Sequence, residues 1–261
     1  MSIVLTAFLL GLIIGSFLNV CIARLPKDES IVFPPSRCPK CLAPIKPYDN
    51  LPVLSYLLLR GRCRSCEAPI SVQYPFVELL TGVITAVFVA RWWGQPGWLG
   101  VSLLAAYVLI VVSVIDFETM LISDAFSLAL FVLGIGGSFF NPFFEGGWGS
   151  RLASSAIGAA AGGGFIWGLA LLGKKIYKKD AVGEGDIFLM GGIGALCGWE
   201  GVLTAIIMAS FFGSVYGVSL LLLKRADRMS HMPFGPFLAL GAVINLYSLV
   251  RPEDFFFVLP F

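Results

Sequence analysis

The 261-residue chain is 57% hydrophobic and only 13% charged, which excludes a soluble globular domain of this size. It reads as a polytopic membrane protein. The net charge of +2 gives no reason to expect a nucleic-acid partner, because the placement of the basic residues is explained by membrane topology.

Apolar runs close to the roughly 20 residues that cross a bilayer lie near 2–23, 75–92, 97–115, 122–141, 150–173, 201–223 and 233–250. The first has no basic residue before its apolar core and Arg24 just after it, the reverse of a signal peptide's charge order, so it is expected to remain as a span. A shorter run, 187–197, is read as an eighth span, the alternative being a re-entrant piece; Gly191, Gly192 and Gly194 would let other helices approach it closely. The expected fold is all-α, with about eight transmembrane helices. Loops 24–74, 174–184 and 224–232 then share one side, and they hold every basic residue except Arg91, Arg151 and Arg251. By the positive-inside rule that side is cytoplasmic. Three parts are expected: a first helix (1–23), a cytoplasmic loop (24–74) and a larger transmembrane domain (75–261).

The long loop reads "SRCPKCLAPIKPYDNLPVLSYLLLRGRCRSCEAPISVQYPFVE". Two Cys-x-x-Cys pairs, Cys38 with Cys41 and Cys63 with Cys66, are separated by 21 residues and suit a tetrahedral thiolate zinc site. Two disulfides, or four unrelated thiols, are the alternatives, and a cytoplasmic location argues against the disulfides. A loop with Pro34, Pro35, Pro39, Pro44 and Pro47 and no obvious core would take folding energy from the metal. Cys21 and Cys197 fall in apolar spans and read as packing residues.

Two acids stand at ends of spans: Asp116 in "LIVVSVIDFETMLISD" and Asp186 in "VGEGDIF". An acid at such an end is often just the first solvated residue of a loop, and Glu118, Asp124 and Glu184 share that reading. Gly183 and Gly185 beside Asp186 permit tight turns and close approach, which can aim a carboxyl inward. Two carboxyls brought together share a proton, so one can take a proton from water while the other polarises a peptide carbonyl. The sole histidine, His231, has neither an evident serine partner nor the HExxH pattern, and reads as a loop residue.

The strings "GSFLNVCIARLP", "YDNLPVLSYLLLRGRC", "YPFVELLTG", "IDFETMLISD", "GEGD" and "MPFGPFLALG", in this order, span nearly the whole chain. In them the chain resembles the type IV prepilin peptidases, membrane aspartyl proteases that also N-methylate their product. The resemblance implies that Asp116 and Asp186 are the catalytic pair. It implies prepilin or pseudopilin precursors as substrates, a bacterial inner-membrane location with the site at the cytoplasmic face, and S-adenosylmethionine as methyl donor. The chain departs from the family's pattern at Phe188, where a lysine is frequent, and at Ile122-Ser123-Asp124, where Leu-Pro-Asp is usual. No Gly-x-Gly-x-x-Gly element follows a strand, so no residues can be named for the methyl donor from the sequence. Glu78 in "PFVELL" would either hold the newly exposed amino group or make a helix-to-helix hydrogen bond. Intramembrane acids and many glycines also describe an ion-coupled transporter carrying a zinc-knuckle loop, although such acids belong near the midplane. A zinc-knuckle docking protein would leave Asp116 and Asp186 without a role.

Overall fold

A computed structural model describes residues 2–178, 183–224, 232–250 and 254. His231, Lys179, Arg225, Arg228 and Arg251 lie outside the described residues. The helices are α1 (Ser2–Arg24), α2 (Leu54–Leu58), α3 (Gln73–Trp92), α4 (Pro96–Thr119), α5 (Asp124–Gly137), α6 (Trp148–Tyr177), α7 (Glu184–Leu222) and α8 (Gly235–Tyr247). There is no strand among the described residues. Helices α1, α3, α4, α6 and α7 are long and apolar enough to cross a membrane, while α5 and α8 are shorter apolar helices. The protein is an all-α polytopic membrane protein.

The chain forms two compact units, Met1–Gly94 and Gln95–Phe261. In the first, α1 and α3 pack through small residues, since lipid gives apolar helices no reason to associate beyond close fit and hydrogen bonds. A Cβ on Gly11 would meet Thr85 at 2.6 Å, and one on Gly15 would lie 2.7 Å from the Glu78 Cα. Asn19, buried on α1, donates to the Tyr74 carbonyl at 3.0 Å and ties the two helix ends together.

In the second unit α5, α6 and α8 all pack on α7. That helix is two helices joined at Gly198, whose φ of 70° and ψ of 180° belong to a region essentially reserved for glycine. The halves fold back on each other: a Cβ on Gly194 would lie 3.0 Å from Val202 Cγ2, whereas eight residues of straight helix would separate them by about 12 Å. The turn interrupts the helical ladder, and side chains take up the carbonyls before it. Asn141 Nδ2 donates to Leu196 O at 2.8 Å, and Ser155 Oγ to Ala195 O at 2.7 Å. The short apolar run 187–197 is thus the first arm of a hairpin whose second arm is the run 201–223.

Candidate functional site

The second unit brings Asp116 and Asp186 to one end of its helices, where α4 finishes and α7 and α8 begin. Asp116 occupies the last full turn of α4 and is 5% exposed. The helix ends just beyond it, where Met120 adopts a left-handed conformation and donates its N–H to the Asp116 carbonyl at 2.9 Å. The carboxyl is met by Gly235, the first residue of α8, whose N–H donates to Asp116 Oδ2 at 3.0 Å. Amides at a helix start have no partner inside the helix, and the next residue, Pro236, has none to offer. The Asp116 carboxyl therefore takes the available donor at the positive end of α8.

Asp186 sits three residues after Gly183, the N-cap of α7, and its N–H donates to Gly183 O at 3.2 Å. Its carboxyl lies back over the start of the helix, where a Cβ on Gly183 would be 3.4 Å from Asp186 Oδ2. Gly183 itself has an ordinary φ of −69°, so no glycine-only conformation is used there. Gly185 serves close approach: a Cβ on it would lie 2.8 Å from Ile122 Cβ, in the segment joining α4 to α5. Ile122 reaches the other carboxyl too, since a Cβ on Gly235 would lie 3.2 Å from Ile122 Cδ1 and 2.7 Å from Asp116 Oδ2. Ile122 thus lies between the helix start that carries Asp186 and the glycine that meets Asp116. Each sits at a helix N-terminus, and Ile122 packs beside the glycines that position them.

The neighbouring acids are different. Glu118 and Asp124 are exposed, as loop-side acids should be. Phe188 is 58% exposed, and Cys21 and Cys197 are buried in their helices. Phe117, the residue after Asp116, stacks edge-on against Tyr216 and Phe237, an aromatic cluster shared by α4, α7 and α8.

In the first unit the four thiols gather. The Sγ atoms of Cys38, Cys41, Cys63 and Cys66 all lie within 4.8 Å of one another, and Cys38 and Cys66 are 3.8 Å apart. Zinc–sulfur bonds of about 2.3 Å in a tetrahedron put the sulfurs about 3.8 Å apart, so the cluster fits that ion. Each pair is built the same way, on the repeated pattern Arg-Cys-x-x-Cys-x-Ala-Pro-Ile at 37–45 and 62–70. Cys38 N donates to Ala43 O and Leu42 N to Cys38 O; Cys63 N donates to Ala68 O and Glu67 N to Cys63 O. Leu42 and Glu67 both take left-handed conformations, with φ of 59° and 57°. This turn aims backbone N–H groups of Cys41 and Lys40 at the Cys38 sulfur and pulls that thiol down to about 6. At Cys66 the Ala68 N–H acts in the same sense, but the Cys41 thiol, burial and the other two thiols outweigh it and push Cys66 up to about 11. Four thiols this close lose their protons together only with a cation among them. Arg64, inside the second pair, holds Asp49 in the linker by a bidentate pair with contacts of 2.6 and 2.9 Å.

The first unit also contains a cavity of about 970 Å³, bounded by the end of α1, the start of α3 and the loop between them, with Ser16, Asn19, Val53 and Glu78 in its lining. Glu78 is 7% exposed and accepts the Val53 N–H at 2.7 Å on Oε2.

Compared with known proteins, residues 9–92 match the bacterial peptidase A24 N-terminal domain, and residues 103–218 match the type IV leader peptidase family. Proteins named prepilin leader peptidase/N-methyltransferase are similar over most of their length. The one from Aeromonas hydrophila is 39% identical over 92% of this chain and 88% of its own. Those from Neisseria gonorrhoeae and Pseudomonas aeruginosa are 37% and 34% identical, over 91% and 94% of this chain and 88% and 90% of theirs. No solved structure matches the chain.

Proposed function

Because the chain belongs to the type IV leader peptidase family, we propose that it removes the leader from type IV prepilins or pseudopilins at the cytoplasmic face of the bacterial inner membrane, and then N-methylates the new N-terminus. In this reading Asp116 and Asp186 act on one water. The ionised carboxyl takes a proton from the water as its oxygen attacks the scissile carbonyl carbon, while the protonated one donates a hydrogen bond to the carbonyl oxygen. The proton then passes to the leaving nitrogen as the peptide bond breaks. Gly235 N–H orients Asp116, and the first turn of α7 after Gly183 positions Asp186.

The observation that carries the reading is the convergence of the two carboxyls at one end of the second unit. The last turn of α6 and its cap carry Lys174, Lys175 and Lys178, and Lys224 follows the end of α7. This basic flank at the helix ends supports a cytoplasmic location, where a prepilin's leader meets its membrane-embedded helix.

The four cysteines would hold zinc, which supplies folding energy to a loop with little core of its own. S-adenosylmethionine, when bound, supplies an electrophilic methyl group. The cavity in the first unit has room for a molecule of that size, and its lining carries both charge signs, as a zwitterionic amino-acid moiety requires. The proposal is tested by incubating the purified protein in nanodiscs with a prepilin and S-adenosylmethionine and sequencing the product by mass spectrometry. Cleavage after the leader with methylation of the new N-terminus is expected; an intact prepilin contradicts the reading.

A further inference from the structure

Peptide cleavage by the aspartates leaves one buried acid unused. Glu78 stands in the second turn of α3, 7% exposed, and faces α1 where Gly15 leaves room for it. Its carboxyl accepts one neutral donor, the Val53 amide, and Ser16 lies with it in the cavity lining. Among the described residues no lysine or arginine pairs with it, and the ion pair between Arg64 and Asp49 leaves it out. A carboxylate taken out of water without a counter-charge is unstable and calls for a cation.

The surroundings say what kind of cation. Glu78 lies in the lining of the 970 Å³ cavity, with Ser16 and Asn19 beside it one helical turn apart on α1. The cations in that lining, including Arg24, Arg37, Lys40 and Lys46, come from the end of α1 and from the loop, and none is bonded to Glu78. An acid among neutral polar groups with bases further out complements a molecule that carries an ammonium beside an anionic group. The Val53 N–H is presented to Glu78 from a backbone conformation, φ 61° and ψ −48°, that a β-branched residue adopts only under constraint. The contact therefore couples the loop to the carboxyl at the cavity.

We infer that Glu78 anchors an α-ammonium group in this cavity, either that of the methyl donor's amino-acid part or that of the freshly cut N-terminus. The inference rests on the methylation reading above and names the residue that this reading left open.

The test uses Glu78→Gln in the full chain, in nanodiscs with zinc present. Glutamine keeps the shape and an oxygen for the Val53 N–H, so a purely structural role predicts little change. S-adenosylhomocysteine, which carries the donor's ammonium and no transferable methyl group, is titrated calorimetrically. A loss of about tenfold or more in its affinity, the scale of one charge-assisted hydrogen bond, assigns the site to the donor. Unchanged affinity with a KM for methylation of a cleaved pilin peptide raised about tenfold assigns it to the substrate amine. If both stay within about twofold, or if the change releases zinc, the inference is overturned. Should the variant fail to fold, the wild type supplies two further comparisons: S-adenosylhomocysteine against 5′-methylthioadenosine, which lacks the amino-acid part, and the cleaved peptide against its N-acetylated form. Equal binding within both pairs also overturns it. Cleavage of prepilin by the wild type is scored separately, so failure of the peptidase reading is distinguishable from failure of this one.

Discussion

Gly235→Ala adds one methyl group at the point where α8 meets Asp116. The new Cβ would lie 2.7 Å from Asp116 Oδ2, 3.3 Å from Asp116 Cγ and 3.2 Å from Ile122 Cδ1. An ordinary contact needs about 3.4 Å or more, so the carboxyl must retreat by roughly half an ångström to an ångström, stretching the 3.0 Å bond from the Gly235 N–H. Misplacing a catalytic group by about 1 Å costs about a hundredfold in rate, and a hydrogen bond to a charged group contributes about 1.5–3 kcal/mol. Cleavage of a prepilin peptide should therefore fall about ten- to a hundredfold in kcat. Stability should change little, since alanine suits a helix better than glycine. Gly191→Ala is the control, because its Cβ would meet only Ala159 O, at 3.8 Å. Wild-type cleavage by a folded Gly235→Ala protein would refute the idea that this amide and its close approach position Asp116.

Metal analysis should find about one zinc per chain, lost on Cys38→Ser combined with Cys66→Ser; retention of the metal in that variant contradicts the site. With Cys66 pushed up to about 11, its thiol is protonated at neutral pH before metal binds, so binding must release that proton. Zinc affinity measured by competition with a chelator should accordingly rise at least about tenfold per pH unit between pH 6.5 and 8, and fall more steeply below about 6, where Cys38 also protonates. Gly198→Ala forces a side chain into a glycine-only conformation and should lower stability by about 1–3 kcal/mol in a thermal melt; an unchanged melt denies the turn inside α7. Labelling of single cysteines placed at Lys178 and Lys46 should occur from the cytoplasmic side, and labelling from outside contradicts the orientation. Glu118→Gln and Asp124→Asn, at exposed acids, should leave cleavage within about twofold.

The elements with long-range consequences in the sequence were the readable ones. Runs of apolar residues marked every helix except the five-residue α2, because a span must hydrogen-bond its own backbone along its whole length. The clustering of the four cysteines was legible from their spacing, which suits a tetrahedral metal site. The repeat of Arg-Cys-x-x-Cys-x-Ala-Pro-Ile was also there to be read, and it explains why Leu42 and Glu67 share an unusual backbone conformation. Gly235 and Ile122 were not evident as parts of the acid site. Their contribution is an amide direction and a packing contact made across more than a hundred residues, and neither leaves a periodic trace. Gly198 looked like one more small residue in an apolar stretch, because its backbone angles, which turn the chain back, have no signature beyond the glycine itself. Glu78 stood between two readings, and only its burial beside a cavity favours a ligand over a helix contact.

The central claim is that Asp116 and Asp186 work as one unit on one water, and single-turnover prepilin cleavage by wild type, Asp116→Asn, Asp186→Asn and the double variant tests it most directly. Asparagine keeps each side chain's shape and its acceptor oxygen, so the proteins should fold while the proton chemistry is lost. Each single change should reduce cleavage at least about a hundredfold, and the double change should be little worse, because groups that act together are not additive. Robust cleavage by folded Asp186→Asn protein, or losses that multiply in the double variant, would contradict the account.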